Sequence, residues 1–134
     1  RNSRYQIEMN NATATRWVFG IGGTTYTIDT NATSSYKTFK FVSGTGIYVD
    51  GSLVTSTTKT ETNNYNIWLF RGYDRYSSLK ISSAKLWENG TLVRDFIPCY
   101  RRNSGVAGLY DTVNSVFYPN AATSGDDFTV GPDV

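Results

Sequence analysis

Apolar and polar positions alternate in short runs along most of this chain. In RYQIEM, residues 4–9, Tyr5, Ile7 and Met9 alternate with Arg4, Gln6 and Glu8, the two-residue period of a strand with one wet face. TRWVFGI sets Trp17 and Phe19 against Val18, and the Gly22-Gly23 pair after it suits a tight hairpin into TTYTI. YKTFKFV places Lys37, Phe39 and Phe41 opposite Tyr36, Thr38, Lys40 and Val42. IYVDGSLV reads as a hairpin turning at Asp50-Gly51, and LKISSAKLWENGTLVRDFIP as a second turning at Asn89-Gly90. Pro98 lacks a backbone donor and is expected to close its strand. NIWLFRG is apolar on both faces, Ile67 and Leu69 against Trp68 and Phe70, which predicts a central strand or one with a ligand-facing side. GLYD, VFYP and FTV are shorter strand candidates. No apolar stripe of helical period and no internal repeat interrupts this pattern, so it predicts about ten to twelve short strands in a sandwich or barrel.

Composition agrees. The 134 residues include ten tyrosines and an abundance of Thr, Val, Ile, Gly and Asn, residues that half-buried pleats and their turns select. That length suits one domain, 1–134, large enough to bury its own core. The net charge of +2 comes from 13 basic and 11 acidic side chains scattered without a run, which argues against nucleic acid as partner. No segment is apolar over the roughly 18 residues that a membrane helix needs. Cys99 is the single cysteine, and with no histidine to activate it the expectation is an inert, half-buried thiol. The Asn-X-Thr triplets at Asn11, Asn31 and Asn89 are read as products of an Asn- and Thr-rich composition.

Residues 85–120, KLWENGTLVRDFIPCYRRNSGVAGLYDTVNSVFYPN, resemble the carboxy-terminal segment of laminin G-like (LamG) domains, of the kind found in bacterial surface proteins and bacteriophage structural proteins. IYVDGSLV, a Thr-rich stretch and NIWLF precede it in the expected order, so the resemblance spans about residues 36–131. It implies a concanavalin A-like jelly-roll sandwich of two antiparallel sheets. It also implies a domain that such proteins usually open with a further strand, whereas RYQIEM follows Arg1 almost directly, as in a domain truncated at its amino terminus.

Catalysis is not expected. Relatives of this fold that cut polysaccharides carry their carboxylates in a Glu-X-Asp-X-X-Glu arrangement on one strand, and a glycosidase needs two carboxylates about 5–9 Å apart. Here Glu8, Glu61 and Glu88 are isolated among neutral residues, and without histidine no Ser-His-Asp triad can form. No cofactor is expected. Calcium is the one metal to consider, through Asp50, Asp74 and Asp126-Asp127, although no loop concentrates three oxygens at short spacing and solvated turn residues are the preferred reading.

Sugar binding fits better, because aromatic rings stack on pyranose faces while a few polar groups fix the hydroxyls. In RGYDRYSS, Tyr73, Asp74, Arg75 and Tyr76 sit where no apolar pattern requires them and are the foremost ligand-contact candidates, with Trp68 and Trp17 as secondary ones. The expected function is a non-catalytic recognition or adhesion module, carbohydrate first, at a cell surface or on a virion. The alternative is a phage tail or capsid decoration piece contacting neighbouring subunits; a glycoside hydrolase ranks third. Arg94 and Asp95 point to opposite faces by strand period, so each must find its own partner, and Asp111 of GLYD is the expected partner of Arg94, through a two-pronged hydrogen bond.

Overall fold

A computed structural model describes residues 6–9, 16–21, 24–29, 35–60, 80–121 and 128. Among them the protein is all-β, without a helix, in ten strands: β1 (Gln6–Met9), β2 (Arg16–Ile21), β3 (Thr24–Asp29), β4 (Phe39–Val42), β5 (Gly46–Val49), β6 (Ser52–Ser56), β7 (Ala84–Glu88), β8 (Thr91–Tyr100), β9 (Ala107–Asp111) and β10 (Val116–Pro119). They form three antiparallel sheets, β1-β2-β3, β4-β5-β6 and β10-β9-β8-β7. Every pairing in them joins strands consecutive in sequence. The chain divides into two compact units, residues 1–78 and 79–134.

In the first unit alternation does what the sequence suggests. β2 aligns Trp17 with Ile28 and Phe19 with Tyr26 of β3, while β4 aligns Phe39 with Val49 and Phe41 with Ile47 of β5. These two faces meet, as in a β-sandwich: Phe19, Ile28, Ile47 and Val49 are buried together, with Trp17, Tyr26, Phe39 and Phe41 packed around them. Ring contacts tie the layers, the Phe39 centroid lying 4.5 Å from Trp17 and 5.5 Å from Phe19. Each such side chain contributes roughly 1.5–3 kcal/mol by leaving water.

Turn chemistry sets the registers. Asp50 and Gly51 have φ of 48° and 86°, and Asn89 and Gly90 have 49° and 80°. Positive φ at both central residues gives the hairpin turn whose twist matches its strands, so β5–β6 and β7–β8 turn where the Asp-Gly and Asn-Gly pairs predict. Asp50 also braces its turn, accepting bonds from the Thr38 N–H at 2.9 Å and the Lys37 ammonium at 2.9 Å. At Gly46 a side chain is excluded for another reason. A Cβ there would meet the Thr55 carbonyl at 2.3 Å and Leu53 Cδ1 at 2.7 Å, beside the irregularity in β5–β6 pairing at Ile47/Tyr48.

The second unit is a four-stranded meander. Among its described residues Phe96 and Leu109 are the buried apolar side chains, and Tyr118 meets Phe96 edge-on, centroids 5.7 Å apart. Gly108 makes room for the Phe117 ring, whose Cζ would lie 2.6 Å from an added Cβ. The expectation that Pro98 ends its strand is corrected: β8 continues to Tyr100, with Pro98 opposite Leu109. The Asp95 and Arg101 N–H groups both point toward β9. By the alternation of backbone groups, Pro98 therefore directs its missing donor to the opposite edge, and pairing with β7 extends there only to Phe96.

Candidate functional site

Tyr73, Asp74, Arg75, Tyr76 and Trp68 lie outside the described residues, as do Asp74 and Asp126-Asp127 of the calcium reading. Trp17 is placed. It is half-buried on the core cluster of the first unit, and its indole N–H is buried without a hydrogen-bond partner.

The described residues hold a cleft elsewhere. A concavity of about 370 Å³ opens in the first unit between the β4–β5 turn and the segment leaving β6, lined by Tyr26, Gly44, Thr45, Ser56, Thr57, Thr58 and Lys59. Its walls are fixed by backbone bonds, Gly44 N–H to the Lys59 carbonyl at 3.0 Å and Thr57 N–H to the Thr45 carbonyl at 3.0 Å. Thr57 is the buried residue of this segment, and its Oγ1 accepts the Lys59 N–H at 3.1 Å and lies 2.8 Å from the Tyr26 hydroxyl. One threonine thus holds a half-buried aromatic ring in place and fixes the backbone from which a lysine extends. The exposed Thr45, Ser56, Thr58 and Lys59 surround that ring with hydroxyls and one ammonium group.

Such a lining donates and accepts hydrogen bonds around an aromatic ring, and its described residues include neither a carboxylate nor a thiol. Sequence reading passed over it. Tyr26 falls in a regular strand and residues 55–64 read only as a Thr-rich connection. The distinguishing signal, a Thr next to a Lys-bearing strand exit facing a Tyr, exists only once the two sheets meet.

The charges singled out in the second unit belong to the fold. Arg94 Nε lies 3.5 Å from Asp111 Oδ2, and Lys85 Nζ lies 3.1 Å from Asp95 Oδ2, so Arg94 and Asp95 do find partners on opposite faces. The expected two-pronged Arg94–Asp111 bond is corrected to this one contact, because Arg94 Nη1 instead donates to the Val93 carbonyl at 2.9 Å. The pairing of β7 with β8 is irregular at Leu86/Trp87, and β9 ends at Asp111 opposite Phe96, leaving the β8 backbone at 93–95 beyond the end of its neighbour. The β9–β10 turn supplies the missing partners. Asp111 Oδ1 accepts the Asp95 N–H at 3.2 Å and the Val113 N–H at 3.1 Å, and Thr112 N–H reaches the Asp95 carbonyl at 2.8 Å. Asn114 Nδ2 bridges Asp111 Oδ2, at 2.7 Å, and the Val93 carbonyl, at 3.0 Å.

Asp111 is fully buried. Burial works against its charge, but the Asn114 amide and the N–H groups of Asp95, Val113 and Asn114 outweigh it and hold the carboxyl below its ordinary range. At Asp50 the Thr38 N–H and the Lys37 hydrogen bond act in the same direction. Both carboxylates are committed to turns. No group of three His, Cys, Asp or Glu side chains able to hold a metal occurs among the described residues. Cys99 is half-buried and free. No described helix is long and apolar enough to cross a membrane.

Compared with protein-family models, with curated proteins and with solved structures, the chain matches none.

Proposed function

We propose that the protein is a non-catalytic recognition module whose first ligand class is carbohydrate, carried by a larger cell-surface or virion protein. The observation that carries this reading is the cleft at Tyr26. A half-buried ring bordered by the exposed Thr45, Ser56 and Thr58 hydroxyls suits a ligand that offers both an apolar ring face and many hydroxyls. Asp50, Asp95 and Asp111, each engaged by a cation, support a non-catalytic role. The LamG resemblance of residues 85–120 supports a concanavalin A-like jelly roll, in which the meander β7–β10 would belong to one of two sheets. It also supports an extracellular setting, with glycans and neighbouring subunits as partners.

A glycan array probed with the full chain tests the reading, beside Tyr26→Ala and a Tyr73→Ala/Tyr76→Ala pair. Binding that falls at least about tenfold in Tyr26→Ala places the ligand in the cleft. Binding that survives it but falls in the paired variant moves the site to RGYDRY. No binding to any glycan contradicts the proposal.

An assembly role is the second reading, and exposed apolar side chains of the second unit favour it. Trp87 is 54 % exposed and Tyr100 55 %, with Ile97, Val116 and Tyr118 also open. Self-association measured by analytical ultracentrifugation, and lost in Trp87→Ser, would support that role; a monomer at every concentration would count against association with copies of itself.

A further inference from the structure

The cleft has a charge asymmetry that a neutral sugar does not use. Among the described residues of the first unit, Lys37 is paired with Asp50 at 2.9 Å, and the Lys40 ammonium lies 5.7 Å from the Tyr48 ring centroid. Among the described residues no acid or ring lies against Lys59, and it stands at the cleft, whose described lining includes no carboxylate. Its backbone is held on both sides, the N–H by Thr57 Oγ1 at 3.1 Å and the carbonyl by the Gly44 N–H at 3.0 Å. The ammonium therefore extends from a fixed point beside hydroxyl donors. That arrangement suits a single oxyanion, through one charge-assisted bond and neutral hydrogen bonds around it.

We infer that the cleft prefers a saccharide bearing a carboxylate, a hexuronate, with the carboxylate seated at Lys59. This rests on the saccharide reading and narrows it. Thr57 is then a positioning residue, setting the Tyr26 hydroxyl and the Lys59 backbone relative to each other. Because Lys59 is exposed, its contribution is screened by salt and is read as a difference between charged and uncharged forms of one sugar.

The test is calorimetric titration of the full chain with a galacturonate oligosaccharide and with its methyl ester, which keeps the sugar and removes the charge. The acid is expected to bind about tenfold more tightly than the ester in about 20 mM salt, the preference shrinking toward 0.15 M. Lys59→Gln should abolish the preference, bringing the affinity for the acid to that for the ester, at an unchanged melting temperature. Equal binding of acid and ester, or a preference that survives in Lys59→Gln, overturns the inference. If neither form binds while neutral glycans on the array do, the inference fails and the saccharide reading stands. If nothing binds in either experiment, both fall.

Discussion

The two units of this chain are held by different means. In residues 1–78 two sheets bury Phe19, Ile28, Ile47 and Val49 between them, and the only buried polar side chain among its described residues is Thr57, at the cleft. Among the described residues of 79–134 the most deeply buried side chain is a carboxylate, Asp111, which completes the backbone hydrogen bonding of β8 where its neighbouring strand stops. Apolar packing is non-directional and accepts other apolar side chains of similar volume, whereas a carboxylate with fixed donors requires that residue. The difference suggests why the KLWENGTLVRDFIP and GLYD stretches are legible as a motif, since their geometry depends on particular residues. The first unit needs only apolar residues at the right period.

The largest effect should come from the apolar unit. Phe19→Ala removes a ring at the centre of its cluster and should cost about 3–5 kcal/mol in urea unfolding, with a loss independent of pH between about 3 and 7. A pH-dependent loss would show that the units do not differ in this way.

Next comes Asp111→Asn, which sets an amide donor against groups that are themselves donors. We expect a melting temperature lower by about 10 °C near neutral pH. The sign in acid follows from the depressed pKa. The ionised form is favoured by the fold, so its stabilisation is complete above the ordinary carboxylate pKa and is lost as pH falls through the lower folded value. The variant should therefore lose less stability than wild type between about pH 5 and 2. Parallel acid profiles would remove Asp111 from its role.

Gly46→Ala probes the first unit where space, not charge, sets the backbone. Its Cβ would fall 2.3 Å from the Thr55 carbonyl, so β5 and β6 must part, at about 1–3 kcal/mol by chemical denaturation. An unchanged midpoint would show that the strands separate freely. The smallest effect belongs to Lys37→Ala. Its partner Asp50 is exposed and keeps the Thr38 N–H, so the melting temperature should move by less than about 2 °C.

Local signals in the sequence carried much of this. Asp50-Gly51 and Asn89-Gly90 demanded turns with positive φ, and the alternation of Trp17, Phe19, Phe39 and Phe41 marked the core face. Charge alternation at Arg94 and Asp95 foretold separate partners. Pro98 misled because its effect depends on which edge the missing donor faces, and that depends on where β7 stops. The cleft was illegible for a similar reason. Tyr26, Thr57 and Lys59 become neighbours only through the pairing of segments about thirty residues apart, and no local pattern encodes that meeting. The aromatic loop RGYDRY stood out by composition, which marks a surface capable of binding but does not place it.

The most direct test of the functional account is an amide-resolved NMR titration of the full chain with the tightest glycan from the array. The account predicts shift changes centred on Tyr26, Gly44, Thr45 and residues 56–59, with the Lys59 amide among the largest. Changes centred instead on Tyr100 and Tyr118 of the second unit, with the cleft silent, would contradict it.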